Sequence, residues 1–143
     1  MEFLSFASFN SNGLGVDRLR TIETLSRTHT FTLIQEHWLL SNQLDKLNDI
    51  PDTCYHAVSG MQSSTLLAGR PYGGCAIIWS NKFQGRVEPV HFQSSRICGV
   101  IINTANFPIL LANIYMPVDT TYDRLRLTLQ ITAQFSRRSL ISL

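Results

Sequence analysis

The sequence predicts an α/β fold, and two patterns support that prediction. In the first, apolar segments at residues 2–9 and 31–35 flank residues 18–28, where leucine and isoleucine recur at helical spacing. A strand, a helix and a strand in this order indicate a parallel crossover unit. In the second, short apolar segments follow one another closely, which predicts antiparallel hairpins. These segments are residues 75–79, 86–92, 96–102 and 109–115.

Shorter segments complete the predicted order of elements. Asp17 is in a position to cap the helix that follows it. Ser41 opens a second short helical segment, and residues 54–58 are predicted to form a third strand. Residues 59–71 are rich in serine and glycine, which predicts a loop. Residues 119–138 have a weak helical pattern, because their apolar positions follow no single period.

Composition and charge limit the classes of protein to which the chain can belong. Its 143 residues are 44% hydrophobic and 15% charged, as in one globular domain. With 12 basic and 10 acidic side chains, the net charge of +2 is far below that of a dedicated nucleic-acid binder. Glu2 and early polar residues interrupt any secretory signal, and no apolar run approaches the roughly 20 residues that cross a bilayer. We therefore expect an intracellular protein of the nucleus or cytoplasm that is not secreted and has no contact with a membrane.

Neither the cysteines nor the histidines have the spacing of a metal site. The cysteines are Cys54, Cys75 and Cys98, and the histidines are His29, His37, His56 and His91. The cysteines are odd in number and form no CxxC pair, which favours reduced, buried thiols over a disulfide framework or a zinc site. The histidines form no HxxxH pair and are expected at the surface or at strand ends. His37 is expected to point away from its neighbour Glu36.

Polar side chains follow three of the predicted strands, where ligand-binding groups collect in an open α/β sheet. Asn10 and Asn12 follow the first strand, Glu36 follows the second, and Tyr115 ends the last. A carboxylate with an amide beside it suits a hard cation such as Mg²⁺. Taken singly, each residue has a plainer interpretation. The asparagines suit a turn, Glu36 suits a solvated strand end, and Tyr115 suits an ordinary edge or core position.

Four short segments, in this order along the chain, resemble the endonuclease/exonuclease/phosphatase superfamily. They read FNSNGL at residues 9–14, IQEHWL at 34–39, YGGCAI at 72–77 and NIYMP at 113–117. The first two are most similar to the N-x-N-G-L and Q-E-H/T-W-L patterns in endonuclease domains of non-LTR retrotransposons. The resemblance covers residues 3 to about 118.

The resemblance implies an α/β/β/α sandwich of the DNase I-like type, in which two β-sheets pack face to face between outer helices. Residues 1–118 would form the N-terminal part of such a domain, and its second sheet would be incomplete. Residues 119–143 would form a divergent C-terminal tail with some helical character.

The resemblance also implies a Mg²⁺-dependent endonuclease that nicks DNA. Asn10 and Glu36 match the metal-site positions, and Tyr115 matches the tyrosine that contacts the scissile phosphate, so Glu36 and Tyr115 are the catalytic candidates. Asn12 stands where some repair-type relatives have an aspartate, and Arg96 falls near a position that faces the DNA backbone. Both are candidates for substrate binding, and for Arg96 a solvated arginine is the plainer alternative.

Later motifs of that superfamily, G-D-F/L-N and S-D-H, do not occur in the 143 residues. No histidine follows His91, and Asp119 and Asp123 are the only acids after Glu88. Because the base and the orienting residues lie in those motifs, we expect weak Mg²⁺ binding and no nicking by this chain alone. Two alternatives stay open: a noncatalytic nucleic-acid-binding remnant, and a family member that acts on another phosphodiester.

An incomplete second sheet also predicts self-association. The segments at residues 75–79 and 109–115 are apolar on successive residues, as strands covered on both faces are. Helices cover one face of a sheet, and apolar side chains left exposed on the other favour aggregation or a dimer.

Overall fold

The computed structural model describes residues 3–61 and 72–116, in which two β-sheets carry most of the regular structure. The strands are β1 (Phe6–Asn10), β2 (Phe31–Gln35), β3 (Thr53–Val58), β4 (Cys75–Ser80), β5 (Val87–Val90), β6 (Ile97–Asn103) and β7 (Pro108–Ile114). Helix α1 spans Val16–Thr28, and 3-10 helices span Ser41–Asp49 and Asn81–Phe83. Most of the predicted loop at residues 59–71 and all of the predicted C-terminal helix lie outside the described residues. No helix in the described part of the chain is both long and apolar enough to span a membrane.

The first sheet has four strands in the order β1-β2-β4-β3. β1 and β2 are parallel and α1 connects them, so the predicted crossover unit is confirmed. β4 runs antiparallel to both β2 and β3. Asn10 at the end of β1 and Cys75 at the start of β4 both pair with Gln35 at the end of β2. The carboxyl ends of β1 and β2 therefore meet the beginning of β4 at one end of the sheet.

The second sheet contains β5, β6 and β7 in chain order, each antiparallel to its neighbour. The predicted hairpins are therefore confirmed for β5, β6 and β7, whereas β4 belongs to the first sheet and does not pair with β5. The turn between β6 and β7 closes on Thr104, whose hydroxyl oxygen accepts the backbone N–H of Phe107 at 3.2 Å. Just beyond β7, the backbone N–H of Tyr115 donates to the carbonyl of Arg96 at 2.9 Å. This bond brings the end of β7 to the beginning of β6.

The two sheets pack face to face through one apolar core. Phe31 and Ile77 of the first sheet meet Val100 and Ile102 of the second, and none of these four side chains is accessible to solvent. The other face of the first sheet packs against α1 and the longer 3-10 helix. This second core contains Ile22, Ile34, Leu39, Leu47, Ile50, Ala76 and Ile78. β2 and β4 thus bury both of their faces, which explains their continuous apolar sequences.

Three predicted details are wrong, each for a local reason. The first strand begins at Phe6 rather than at residue 2, because its ladder with β2 begins with the Phe6–Phe31 pair. Asp17 does not cap α1. Gly15 is the N-cap residue, with an extended backbone and no side-chain hydrogen bond, so Asp17 lies in the first turn, where its charge suits the helix dipole. The segment that begins at Ser41 is a 3-10 helix rather than an α-helix.

Two thiols between the sheets provide a chemical test of this packing. Cys75 and Cys98 are fully buried, and burial raises the pKa of each thiol to about 12. Cys54 on β3 is only partly buried. At about pH 8, we expect an aromatic disulfide reagent to modify Cys54 alone in the native chain, because the other two thiols stay protonated and protected. All 3 cysteines should react after denaturation, and rapid reaction of all of them in the native chain would contradict the sandwich packing.

Candidate functional site

Glu36 lies just beyond β2, and its backbone adopts the left-handed conformation with φ 56°. This conformation costs a residue other than glycine about 1–3 kcal/mol, so its neighbours must hold it in place. The N–H of Glu36 donates to the carbonyl of Gly74 at 2.8 Å. Its own carbonyl accepts the N–H of Gly13 at 2.8 Å and the hydroxyl of Ser11 at 3.1 Å. The turn after β1 and the segment before β4 therefore fix Glu36 from two sides.

Two glycines allow aromatic rings to pack directly on the backbone around Glu36. Gly13 and Gly74 have φ values of 94° and 89°, which favour glycine. A Cβ atom on Gly13 would lie 2.6 Å from the ring of Trp38, and one on Gly74 would lie 2.3 Å from the ring of His37. Any side chain at either glycine would displace a ring or the turn beneath it.

His37 lies just beyond the end of β2, but it is not a surface residue, because its side chain is completely buried. The ring Nε2 donates to the carbonyl of Val58 at 3.0 Å, and Nδ1 accepts the N–H of Leu39 at 3.0 Å. Because Nδ1 must accept, the ring is neutral with its proton on Nε2. Burial lowers the pKa of His37, which keeps this form. No spacing in the sequence signals this role, since Val58, the acceptor of the Nε2 bond, is 21 residues away in the chain.

The amide of Asn10 connects Glu36 to the turn after β1. Its Nδ2 donates to Oε1 of Glu36 at 2.9 Å, and its Oδ1 accepts the N–H of Asn12 at 3.1 Å. A carboxylate can only accept hydrogen bonds, so the NH₂ side of the amide must face Glu36. Asn12 is exposed and has a left-handed backbone with φ 46°. Asn10 therefore orients the carboxylate, while Asn12 lies at the rim of the site.

Tyr115 and Arg96 reach the same place from the second sheet. The hydroxyl of Tyr115 lies close to the carboxylate of Glu36, which acts on its pKa through both charge and hydrogen bonding. Burial, and then the negative charge of Glu36 and this bond, raise the pKa of Tyr115, while the positive charge of Arg96 opposes the rise. Tyr115 is therefore protonated at neutral pH, the form in which its hydroxyl can donate to Glu36. The structure thus brings together Asn10, Glu36, Tyr115 and Arg96.

This arrangement combines one carboxylate with donors that suit a phosphate. Within residues 3–61 and 72–116, no group of three His, Cys, Asp or Glu side chains is arranged to hold a metal ion. A hard cation bound through Glu36 would therefore keep most of its water ligands, as Mg²⁺ commonly does. The guanidinium of Arg96 and the hydroxyl of Tyr115 can donate hydrogen bonds to phosphate oxygens.

Comparison with known proteins identifies the fold. No protein-family model and no curated protein matches the chain. The endonuclease domain of TRAS1, a telomere-specific non-LTR retrotransposon, matches with a TM-score of 0.59 and 16% identity over 91% of this chain and 52% of that one. The AP endonuclease LMAP from Leishmania major matches with a TM-score of 0.60 and 14% identity, over 86% of this chain and 43% of that one. The 3'-5' exonuclease NExo from Neisseria meningitidis matches with a TM-score of 0.59 and 19% identity, over 96% of this chain and 53% of that one.

These matches confirm the predicted resemblance at the level of the fold. The chain has the mixed α/β, two-sheet architecture of the DNase I-like endonuclease/exonuclease/phosphatase proteins. It spans about half the length of the structures that it matches. With identities of at most 19% among these matches, the likeness concerns the fold and assigns no role to any residue.

The lowered pKa of His37 predicts a loss of stability in mild acid. The unfolded histidine binds a proton near pH 6.5, whereas the buried ring does so only at lower pH. The contribution of His37 to the free energy of unfolding should therefore be fully present above pH 6.5. It should decrease as the pH falls from 6.5 to the folded pKa. His56, whose pKa is also lowered by burial, adds to the same trend.

Urea unfolding followed by tryptophan fluorescence, repeated at several pH values between about 5 and 8, measures this effect. The His37→Gln variant should lose less stability on acidification than the unchanged chain, whatever its stability at neutral pH. Equal losses in the two proteins would show that His37 does not remain neutral in the folded state.

Proposed function

We propose that this chain is part of a Mg²⁺-dependent endonuclease of retrotransposon origin whose substrate is DNA. The observation that supports this function is the meeting of Glu36, Tyr115 and Arg96 where β1 and β2 end. Ligands of open α/β sheets bind outside the carboxyl ends of the strands. The proposal is also supported by the fold, since one protein with this fold is named as the endonuclease domain of a non-LTR retrotransposon.

Each residue of the site has a proposed role that follows from its contacts. Glu36 would hold the cation, and Asn10 would orient the carboxylate through the hydrogen bond at 2.9 Å. Arg96 and the protonated hydroxyl of Tyr115 would donate to the oxygens of a phosphodiester. Asn12, exposed at the rim, would contact the nucleic acid beside that phosphate. Bound Mg²⁺ would supply stabilisation of the negative charge that develops on the phosphate.

We further propose that the chain binds these ligands without cleaving DNA by itself. Hydrolysis also requires a base that activates water and a group that assists the leaving oxygen. Both ring nitrogens of His37, the histidine nearest to Glu36 in sequence, are already engaged in hydrogen bonds. Among the described residues, Glu36 is the carboxylate of the site, which also favours the noncatalytic nucleic-acid-binding alternative. The two proposals differ only in whether other residues complete the site.

Calorimetric titration with Mg²⁺ tests the role of Glu36. We expect weak binding by the unchanged chain and loss of most of that binding in the Glu36→Ala variant, because one carboxylate carries the charge that attracts the cation. Glu88→Gln is a matched control, since Glu88 is an exposed acid on β5 that accepts a bond from Asn103 and lies outside the site. Equal binding by Glu36→Ala and the unchanged chain would contradict the proposed cation site.

Incubation of supercoiled plasmid DNA with the chain and Mg²⁺ tests the proposed lack of cleavage. The plasmid should stay supercoiled, because we propose no residue among those described at the site to activate water or to assist the leaving oxygen. Nicking by the unchanged chain that disappears in the Glu36→Ala variant would show that the site is complete, and gel electrophoresis would detect it.

The expected exposed apolar face of residues 75–79 is not found, because β4 is buried on one face by the second sheet and on the other by the helices. Self-association of the isolated chain is still proposed, and the free side of β1 supports it. Among the described strands, β1 pairs only with β2. Phe3 and Phe6 are 81% and 46% exposed beside it. An unpaired edge strand with exposed aromatic rings favours association between copies. Light scattering should report dimers or larger species, and Phe6→Lys should increase the monomer fraction. A monodisperse monomer that binds no hydrophobic dye would contradict this proposal.

A further inference from the structure

Asn113 is a polar side chain buried between the two sheets. It lies near the end of β7 and is only 2% exposed. Ile109 and Leu111, which precede it on the same face of the strand, are apolar and pack in the core between the sheets. Burying an amide among such side chains is unfavourable unless its polar atoms are hydrogen-bonded. The contacts of Asn113 therefore indicate what the amide does in this position.

The hydrogen bonds of the Asn113 amide all reach the first sheet. Its Nδ2 donates to the carbonyl of Ile34 at 2.7 Å and to the carbonyl of Ala76 at 2.9 Å. Ile34 and Ala76 face each other across β2 and β4, so the NH₂ group spans these two strands. Its Oδ1 accepts Nε2 of Gln35 at 2.6 Å. One side chain of β7 thus connects three residues on two strands of the first sheet.

The bonded groups adjoin the residues of the candidate site along the chain. Gln35 immediately precedes Glu36, and Asn113 precedes Tyr115 by two residues. The remaining core between the sheets is largely apolar, and apolar contacts have no preferred direction. Hydrogen bonds do have a preferred direction and distance. The amide therefore fixes the position of β7 along β2, which apolar packing alone leaves less well defined.

We propose that Asn113 is a positioning residue that keeps the hydroxyl of Tyr115 in contact with the carboxylate of Glu36. It acts through the backbones of β2 and β7. An aspartate here would place a carboxylate oxygen against the carbonyls of Ile34 and Ala76, whereas a leucine would keep the branched shape, with somewhat larger volume, and lose every bond. The meaning of this contact for catalysis rests on the proposed function, but the contact itself can be measured without metal or DNA.

Fluorine NMR of the chain labelled with 3-fluorotyrosine tests this role. The chain has 4 tyrosines, and loss of one resonance in Tyr115→Phe assigns the signal of Tyr115. In the otherwise unchanged chain, Glu36→Gln should shift this signal, because the hydroxyl loses its charged acceptor. In the Asn113→Leu chain, Glu36→Gln should leave the signal of Tyr115 almost unmoved, because the two groups no longer meet.

Asn103→Leu is the matched control. Asn103 is an asparagine of the same sheet, but its Nδ2 donates to Oε1 of Glu88 at 2.7 Å and makes no described bond to the first sheet. This variant should keep the full response of the Tyr115 signal to Glu36→Gln. The comparison therefore distinguishes an effect specific to Asn113 from a general effect of replacing an asparagine in a strand.

A full response in an Asn113→Leu chain with native near-ultraviolet circular dichroism would overturn the proposal. If that variant does not fold, Gln35→Met decides the question, because it removes the bond to Oδ1 and keeps both bonds from Nδ2 of Asn113. The same variant also loses the bond from Nε2 of Gln35 to the hydroxyl of Ser8, so Ser8→Ala is its control. A reduced response in Gln35→Met supports the positioning role, and an unchanged response overturns it. Failure in this experiment leaves the proposed cation and DNA binding untouched, and failure of that binding leaves this result valid.

Discussion

The left-handed backbone of Glu36 is the constraint on which the rest of the site depends. A strand that continued past Gln35 would direct the next side chains alternately to the two faces of the sheet. The turn at Glu36 ends that alternation. Its N–H is held by Gly74, and its carbonyl by Gly13 and Ser11. Because these partners come from two separate segments, the carboxylate takes its position only when β1, β2 and β4 are assembled.

The strain of this turn is offset by close packing around it. Trp38 has a left-handed backbone as well, with φ 59°, and its N–H donates to the carbonyl of Gly73 at 3.0 Å. Between these two strained residues, the ring of His37 uses both nitrogens to join the loop to Val58 and Leu39. Strain of this kind persists where surrounding structure compensates for it, and it is frequent at functional sites.

The site is also a junction between the two sheets. Glu36 and Asn10 belong to the first sheet, whereas Tyr115 and Arg96 belong to the ends of the second. Glu36 and Arg96 act on Tyr115 with charges of opposite sign, so these two side chains together leave no large excess of charge at the site. Affinity for a phosphate would thus come from donors arranged locally rather than from the net charge of +2. The apolar core and the amide of Asn113 hold these two halves of the site together.

Local sequence patterns predicted most of the elements and the strand ends at which the site lies. Periodicity predicted the crossover unit and the hairpins, and the polar residues after the strands predicted where Asn10, Glu36 and Tyr115 would be found. Such patterns record the local backbone preference and the face that a segment buries. The burial of His37 and the hydrogen bonds of Asn113 across the core follow from the folded arrangement of distant segments. Those contacts join residues 21 and 79 positions apart in the chain, and no local pattern specifies which distant carbonyl a polar side chain will meet.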